Sequence, residues 1–446
     1  MRPELSFVLL ASLSACVSAH PVKHNEMLTL PLRRYPMTDA IHPELRHQQQ
    51  VNRAERLLAR SNGETGPSDA QLRRNLERTL SSLQERGEIS SSDMQDMSRR
   101  ESDIFERDEN NHPVANHSMV LNIDGADVQY LATIPIGTPT RNFSVIIDSG
   151  SAVFWVGSND CEFDQGGSCG NHTFLSEKES SSFVNTGQSW HAAYGSGNAT
   201  GDVVTDTVVI AGMTLSNLTF GVAHVLSSEF TKDPAVDGLM GLARSEITAL
   251  KIPTPVEALK KRGLISAAIT SYRIPRRADG DSDVGEITFG GLDESKFNTS
   301  TLVIMTSTDN GFWIAEMGPV TINGQDLGFV NKTALLDTGT TLMAVSSEDA
   351  KTIHDKIPGA RQGPQGYTVP CDTSAAVVLT FGGKTFPIDV KELARGSASQ
   401  KTGDCGSGIS VSANAGNRWL VGDTFLKSVY FSTNGDTNEI SLAKLL

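Results

Sequence analysis

Two short segments of this 446-residue chain carry nearly the same sequence, and the repeat limits what the chain can fold into. Residues 145–151 read Val-Ile-Ile-Asp-Ser-Gly-Ser, and residues 334–340 read Ala-Leu-Leu-Asp-Thr-Gly-Thr. Each pattern predicts a strand that runs into a tight turn, where Gly permits a backbone conformation that other residues resist. One copy alone would be typical of an ordinary turn. Two such turns facing each other would place Asp148 and Asp337 in one site. Two carboxyl groups are the smallest set of groups that can carry out acid–base hydrolysis with an activated water.

A second repeat follows each Asp turn and indicates that the chain is duplicated. Leu239-Met240-Gly241 follows the first turn, and Leu420-Val421-Gly422 follows the second at a similar spacing. The part of the chain after residue 107 is too long for one hydrophobic core, so it should form two domains. Two halves with the same order of elements predict two β-lobes with a cleft between them and one Asp from each lobe.

The pattern of apolar residues changes near residue 118. Residues 43–60 and 69–86 have helical spacing of their apolar side chains, whereas later segments such as 203–210, 286–289 and 377–381 are short and β-rich. Net charge divides in the same way. Residues 20–107 hold 14 basic and 14 acidic residues, and 13 of those bases are Arg, whereas residues 108–446 carry the whole net charge of −14. An acidic body argues against a nucleic-acid partner, and an Arg-rich segment could cover an acidic cleft.

The beginning of the chain has the pattern of a secretory signal peptide. Arg2 is basic, residues 5–17 are apolar, and Val17-Ser18-Ala19 is a small-residue cleavage site. The apolar run is too short to span a bilayer, and no later run is longer. We therefore expect residues 1–19 to be removed and the remainder to enter the secretory pathway without a membrane anchor.

Cysteines and glycosylation sequons agree with secretion. Apart from Cys16 in the signal, four cysteines allow three pairings, and we favour the local one, Cys161 with Cys169 and Cys371 with Cys405. On a loop-entropy model these bridges stabilise the folded chain by about 2.6 and 3.8 kcal/mol respectively.

No Cys-x-x-Cys pair or His pair at ligand spacing occurs, so we expect no metal and no cofactor. Seven sequons are candidates for glycosylation: Asn116, Asn142, Asn171, Asn198, Asn217, Asn298 and Asn331.

The chain resembles the pepsin family of aspartic endopeptidases over residues 118–446, and the style of its motifs is fungal. Beyond the two Asp turns, the matching features are the strand at 130–139, Trp155, Tyr194-Gly195-Ser196-Gly197, and the segments 237–242 and 419–423. The resemblance implies a mostly β, bilobal pepsin-like fold of two duplicated β-lobes with a central active-site cleft, preceded by a partly helical propeptide. The implied divisions are a propeptide at 20–107, an N-terminal lobe at 108–305 and a C-terminal lobe at 306–446. Residues 28–34 resemble the opening strand of the family's inhibitory propeptide, and the Cys spacings match two of its usual bridges.

The chemistry that the resemblance implies is hydrolysis by a carboxyl pair. Asp148 and Asp337 would share one proton, because adjacent carboxylates resist double ionisation. The ionised member would take a proton from water, and the protonated member would polarise the scissile carbonyl. Which Asp is ionised at rest is a property of the pair and stays open at this point.

The residues around the two Asp side chains receive supporting roles from the same resemblance. Ser151 and Thr340 would bond the outer carboxylate oxygens, and Ser149 and Thr338 would lock the two loops by bonding to the opposite backbone. Ser149 stands where the commoner residue is Thr, which removes a packing methyl group. Gly150 and Gly339 complete the two turns.

The substrate-binding side of the site is predicted around a flap. Tyr194, Gly195 and Ser196 resemble the tip of a flap that closes over substrate, with Trp155 bonding the flap tyrosine. A glycan at Asn198, just past the tip, would slow closure. Phe230 and Leu239 are candidates for the pocket before the scissile bond, although a plain core role fits them equally well.

The sequence thus predicts a monomeric, acid-active aspartic endopeptidase that cleaves proteins and peptides between hydrophobic residues and is made as a secreted zymogen. A vacuolar location is the alternative. Its own propeptide would be an intramolecular inhibitor, released by processing at Arg99-Arg100 or near Arg107. Two other functions compete. An inactive pepsin-like binding protein would usually have lost an Asp, a Gly or the flap tyrosine, and a glycosidase fits paired carboxylates but not the twin strand–turn setting.

Overall fold

The computed structural model is mostly β after residue 118 and helical before residue 86. It describes residues 43–87, 118–120, 122–124, 129–164, 166–194, 197–227, 236–248, 250, 252–276, 285–363, 366–395 and 404–446. The predicted signal peptide, the propeptide strand at 28–34, both candidate processing points and Asn116 lie outside the described residues. Within the described part of the chain, no helix combines the length and the apolar character needed to cross a lipid bilayer.

Two helices form an antiparallel pair that we call the helical hairpin, residues 43–85. Helix α1 spans Pro43–Ser61 and α2 spans Asp69–Glu85, close to the helical spacing at 43–60 and 69–86. Both consist largely of good helix formers, and Ser68 caps α2 with Gln71 in a reciprocal capping box. Gly63 follows α1 in a left-handed conformation that stops the helix.

Nine strands lie among the described residues of the first half of the β body. They are β1 (Ser118–Val120), β2 (Asn122–Asp124), β3 (Gln129–Ile136), β4 (Arg141–Asp148), β5 (Phe154–Phe163), β6 (Val184–Ala193), β7 (Asn198–Ile210), β8 (Met213–Leu226) and β9 (Gly238–Gly241). All but β1 form one sheet in the order β2-β3-β4-β9-β5-β8-β7-β6. The hairpin of β6 and β7 lies at its edge and carries Tyr194 in its turn. Helix α3, Pro255–Lys261, follows this sheet.

The second half repeats the core of this sheet. Its strands are β13 (Ile314–Glu316), β14 (Thr321–Ile322), β15 (Gln325–Asp326), β16 (Thr333–Leu336), β17 (Met343–Val345), β18 (Arg361–Gly363), β19 (Gly366–Pro370), β20 (Val377–Phe381), β21 (Lys384–Pro387), β22 (Ala394–Arg395), β23 (Asp404–Ser407), β24 (Ile409–Val411) and β25 (Arg418–Val421). The order β13-β16-β25-β17-β24 reproduces β3-β4-β9-β5-β8. Parallel and antiparallel pairs also correspond, because β16–β25 and β4–β9 are both parallel and β17–β25 and β5–β9 are both antiparallel. The duplication predicted from the sequence is therefore a duplication of topology.

The remaining elements complete the second half. Two four-stranded sheets, β15-β14-β20-β21 and β18-β19-β23-β22, flank its central sheet. In the described part of this half, three short helices lie between the strands: α4 (Ser347–His354), α5 (Val390–Leu393) and α6 (Asp423–Leu426). The predicted β-rich segments 286–289 and 377–381 each form a strand over those residues.

A six-stranded sheet joins the two halves. It contains β1, β10 (Ile269–Arg273), β11 (Glu286–Phe289), β12 (Val303–Thr306), β26 (Val429–Asn434) and β27 (Glu439–Lys444), in the order β1-β11-β10-β26-β27-β12. Strand β10 pairs with β26, although their sequences are more than 150 residues apart. The lobe boundary predicted between residues 305 and 306 falls inside β12 of this shared sheet and stays a prediction.

Two disulfides tie local segments together. Cys161 pairs with Cys169, which closes the end of β5, and Cys371 pairs with Cys405 of β23. This is the local pairing favoured among the three that the sequence allowed.

Candidate active site

The site lies where two matching strands end side by side. Strand β4 ends at Asp148, and β16 ends one residue before Asp337. Each strand lies parallel to the strand that carries the second repeat, so that Asp148 is in register with Gly241 and Leu336 with Val421. Both carboxyl groups are fully buried and lie close enough together for the charge of Asp148 to raise the pKa of Asp337.

The two turns are locked to each other by a symmetric set of hydrogen bonds. The Ser149 amide donates to Thr338 Oγ1 at 3.0 Å, and the Thr338 amide donates to Ser149 Oγ at 2.9 Å. Each hydroxyl then donates to a carbonyl of the opposite half, Ser149 Oγ to Leu336 at 3.2 Å and Thr338 Oγ1 to Ile147 at 3.1 Å. Because all four bonds are buried and cross between the halves, the relative position of the two Asp residues is closely determined.

Each carboxylate is oriented by its own turn. The Gly150 amide donates to Asp148 Oδ1 and the Gly339 amide to Asp337 Oδ1, both at 2.9 Å. The outer oxygens accept from hydroxyls, Ser151 Oγ to Asp148 Oδ2 at 2.7 Å and Thr340 Oγ1 to Asp337 Oδ2. The hydroxyls of these residues make the contacts that the resemblance implied, and their roles in catalysis stay predictions.

The two glycines serve a different purpose from the one that their sequence setting suggested. Neither Gly150 nor Gly339 has a positive φ, so the left-handed conformation does not explain them. A Cβ at Gly150 would lie 2.5 Å from Asp337 Oδ1, and one at Gly339 would lie 2.4 Å from Asp148 Oδ1. Glycine is needed here because each turn approaches the opposite carboxylate too closely for any side chain.

An arginine of the helical hairpin enters the carboxyl pair. Arg53 of α1 places Nη2 2.9 Å from Asp148 Oδ2 and 3.7 Å from Asp337 Oδ2, and its Nε donates to Thr340 Oγ1 at 3.1 Å. Its side chain is only 9% exposed. The Arg-rich composition of residues 20–107 indicated that this segment could cover an acidic cleft, but sequence reasoning did not single out Arg53.

The guanidinium makes the two carboxyl groups unequal. Burial works to raise the pKa of Asp148, but Arg53 and the hydrogen bonds from Asp337 and Ser151 outweigh it and hold that pKa below its usual value. Burial and then the Asp148 charge raise the pKa of Asp337 to about 7. With Arg53 in place, Asp148 is therefore the ionised member and Asp337 the protonated one.

The rest of α1 fills an apolar surface beside the pair. Ala54, Leu57 and Leu58 are buried in a cluster with residues of the second half. The members from that half include Phe312, Ile314, Leu335, Ala344, Ala415 and Leu420. Polar contacts surround the cluster, including Gln50 Oε1, which accepts from the Thr341 amide at 3.1 Å. The hairpin thus covers both the carboxyl pair and the surface next to it.

The predicted flap residues are only partly described. Tyr194 is buried, and its hydroxyl accepts a 2.8 Å hydrogen bond from Trp155 Nε1, the contact that the resemblance implied. Leu239 is fully buried in an apolar cluster with both of these side chains. Gly195, Ser196 and Phe230 lie outside the described residues, so their predicted roles stay predictions.

A metal-binding arrangement does not occur in the described part of the chain, where no three His, Cys, Asp or Glu side chains are grouped to hold an ion. Apart from the Arg53 guanidinium, the groups at the site itself are two carboxyls, four hydroxyls and backbone amides. Such a set can bind water and transfer protons, which is general acid–base chemistry.

Comparison with known proteins matches the site to a family. A family model described as eukaryotic aspartyl protease matches residues 129–445, which include both Asp turns and Tyr194. The chain belongs to this family. The helical hairpin precedes the region that the aspartyl protease model matches.

Several fungal aspartyl proteases are similar to the chain over most of the β body. The probable aspartic-type endopeptidase CTSD of Trichophyton verrucosum is 32% identical over 332 residues, which are 74% of this chain and 64% of that protein. Aspartic-type endopeptidase ctsD of Aspergillus fumigatus is 33% identical over 337 residues, 74% of this chain and 69% of the relative. Rhizopuspepsin-1 of Rhizopus niveus is 32% identical over 323 residues, which are 71% of this chain and 79% of that protein. The chain thus spans less than two thirds of the length of the Trichophyton relative.

Proposed function

We propose that this chain is an aspartic endopeptidase that hydrolyses peptide bonds in acid through a water activated by Asp148 and Asp337. The observation that carries the proposal is the pair of fully buried carboxyl groups, both close to one nitrogen of Arg53 and held by matching bonds from two duplicated turns. The family membership and the names of the similar proteins support it.

The reaction follows from the unequal protonation of the pair. After the hairpin has left and the pair shares one proton, the ionised carboxylate, which we propose is Asp148, removes a proton from water as the water oxygen bonds to the scissile carbonyl carbon. Protonated Asp337 gives its proton to the carbonyl oxygen, so the product of this step is a neutral gem-diol. Asp148 then returns its proton to the amide nitrogen while Asp337 recovers one from a diol hydroxyl, and the C–N bond breaks.

Cleavage of an acid-denatured protein, with and without a statine-type peptide inhibitor, tests this function. We expect cleavage by protein from which the hairpin has been removed, with activity that rises from neutral to acid pH and is blocked by the inhibitor. A glycosidase or an inactive binding protein would leave the substrate intact at every pH, and that result would overturn the proposal.

We further propose that residues 20–107 are an inhibitory propeptide and that the chain is a secreted zymogen. The Arg53 contact supports this, because a guanidinium between the two carboxyls excludes both water and substrate. The pattern at 1–19, two disulfides and the exposed sequons Asn142, Asn171, Asn217, Asn298 and Asn331 support an oxidising, glycosylating route. A vacuolar lumen would provide the same conditions and remains the alternative destination.

Acid should release the hairpin, in part through a histidine of α1. Burial, and then the charge of Arg395, lowers the pKa of His47, against a smaller opposing effect of Glu44. The docked imidazole is therefore neutral, whereas a released imidazole takes up a proton below its ordinary pKa of about 6.5. His47 thus opposes docking only in acid, and the docking free energy falls as the pH drops below that value.

His47→Gln tests this pH response, because glutamine is neutral at every pH. We expect the midpoint pH of propeptide release to move down by about half a unit, since one of several titrating groups is lost. The measurement is the appearance of the shortened chain on gels after incubation over a pH series. An unchanged midpoint would show that His47 takes no part.

Cleavage should prefer hydrophobic residues on both sides of the scissile bond. The surface that α1 covers beside the carboxyl pair is apolar, and a released protease would offer it to substrate. Ser196, at the predicted flap tip, has no charge that could pair with a Lys ammonium. In a peptide library we expect Lys before the cut to be disfavoured by about tenfold or more relative to Phe or Leu. Equal ranking of Lys and Phe would contradict this specificity.

A further inference from the structure

A second arginine of α1 contacts the hairpin of β6 and β7, away from the carboxyl pair. Arg56 lies one turn before Arg60 and uses all three of its guanidinium nitrogens. Nη1 donates to the Tyr194 carbonyl at 2.8 Å, Nε donates to the Pro67 carbonyl at 3.2 Å, and Nη2 forms an ion pair with Asp69. The Arg56 side chain is only 12% exposed, so a single planar group joins α1, the loop before α2, the start of α2 and the flap.

The same carboxylate contacts the other strand of the flap. Asp69 uses Oδ1 for Arg56, and its Oδ2 accepts from Asn198 Nδ2 at 2.8 Å. Tyr194 follows the end of β6, and Asn198 is the first residue of β7. The two contacts therefore hold one point on each side of the turn at 194–197, which is itself closed by hydrogen bonds between Tyr194 and Gly197.

The charges favour this arrangement at neutral pH. Burial opposes ionisation of Asp69, but hydrogen bonds and charge from Arg56, the bond from Asn198 and the charge of Arg73 lower its pKa. The carboxylate is thus available both as the partner of the guanidinium and as the acceptor for the amide. Nothing in this contact involves Asp148 or Asp337, and it would persist if Arg53 were replaced.

We propose that the flap surface formed by the Tyr194 carbonyl and the Asn198 amide is a docking site for the Arg56–Asp69 pair of the chain's own propeptide. The pair latches the flap in the uncleaved chain and forms a second restraint, independent of Arg53. Residues 194 and 198 are released to move over substrate only after the helical hairpin leaves. This inference rests on the proposed zymogen function.

The latch also bears on whether the Asn198 sequon can carry a sugar. Asn198 is half-buried and its carboxamide donates to Asp69, whereas the described sequon asparagines elsewhere are exposed. A sugar on this nitrogen would occupy the space next to α2, so modification at Asn198 and the latch oppose each other.

Arg56→Gln tests the latch, with Arg78→Gln as the matched control. Arg78 lies exposed on α2, so the control removes the same charge from the same hairpin without touching the flap. Both substitutions leave with the propeptide and therefore give identical mature enzymes. In the uncleaved protein at neutral pH, we expect Arg56→Gln to raise the hydrogen-exchange rate of amides at 190–200 by about five- to tenfold. In mild acid we expect the same substitution to speed release of the propeptide by a similar factor, about five- to tenfold.

A swap of the second contact gives an independent test. Asn198→Asp places two carboxylates against each other and should also loosen the flap, whereas adding Asp69→Asn restores a donor–acceptor pair and should recover part of the protection. Thr200→Val is the control for the sugar, because it removes the sequon and keeps Asn198. If Thr200→Val matches Asn198→Asp, the sugar and not the amide is responsible, and the latch is overturned.

The outcomes separate the latch from the zymogen proposal. If Arg56→Gln and Arg78→Gln have equal flap exchange and equal release rates, there is no latch, whatever Arg53 does. If instead the uncleaved chain without substitutions cleaves substrate as fast as the chain from which the hairpin has been removed, the zymogen proposal fails, and the flap exchange still reports whether Arg56 holds the flap.

Discussion

Replacing Asp148 or Asp337 with Asn is expected to lower peptide hydrolysis by roughly 10⁴-fold in each single variant. One carboxyl accepts a proton from water and the other donates a proton to the carbonyl oxygen of the substrate. The side-chain amide of Asn can do neither, so each substitution removes one of the two proton transfers. The fold should survive, since Asn retains the oxygen that accepts from the Gly150 or Gly339 amide. The measurement is the rate of cleavage of a chromogenic peptide at acid pH.

The design must remove the hairpin without self-processing, because the variants would be unable to cleave themselves. An added protease that cuts after paired Arg residues would act at Arg99-Arg100. Asp372→Asn is the control, since Asp372 is an exposed Asp on the second half. A variant of either buried Asp that retains more than about 1% of the control activity would remove that residue from the proposed pair.

Replacing Arg53 with Gln is expected to weaken inhibition of the uncleaved chain by about 10²-fold or more. Removing one partner of a buried ion pair costs about 3–5 kcal/mol, and each 1.4 kcal/mol is a factor of ten. The loss applies at neutral pH, where Asp148 is ionised. Without the guanidinium, the pKa of Asp148 is no longer held down, and the pair can share a proton as in the free enzyme. The measurement is binding of a statine-type inhibitor to the uncleaved chain.

Arg53→Lys separates charge from geometry. Lysine keeps the positive charge but cannot bond Thr340 and both carboxyls with one planar group, so we expect a smaller effect, about tenfold. Arg78→Gln serves again as the control for a lost charge on the hairpin. An Arg53→Gln chain that binds the inhibitor no better than the unsubstituted chain would contradict the assignment of Arg53 as the blocking group.

Much of the candidate site could be predicted from short segments because its geometry is local and repeated. An apolar strand, an Asp and a hydroxyl-Gly-hydroxyl turn specify where each carboxylate sits relative to its own backbone. Repetition at 145–151 and 334–340 then implies that the two turns face each other. Helices α1 and α2 were predictable for a similar reason, since helical spacing and good helix formers act within a few residues.

The reason for the two glycines was not available from either turn alone. Their sequence setting suggested a special backbone conformation. The structure instead shows no positive φ at either glycine and no space for a Cβ atom. The atoms that leave no space belong to the Asp of the opposite half and, at Gly339, also to Arg53. A contact between residues so far apart in the chain exists only after both halves have folded and met.

The sequence by itself determined the family, the duplicated β halves, the carboxyl pair and the presence of two helices before them. Only the tertiary structure decided which arginine contacts the pair, because α1 carries several arginines and the sequence pattern does not distinguish them. Docking of the apolar face of Ala54, Leu57 and Leu58 sets the rotation of the helix, and that rotation points Arg53 at Asp148 and Arg56 at the flap. Side chains on one helix acquire different roles when packing orients it, and packing depends on residues hundreds of positions away.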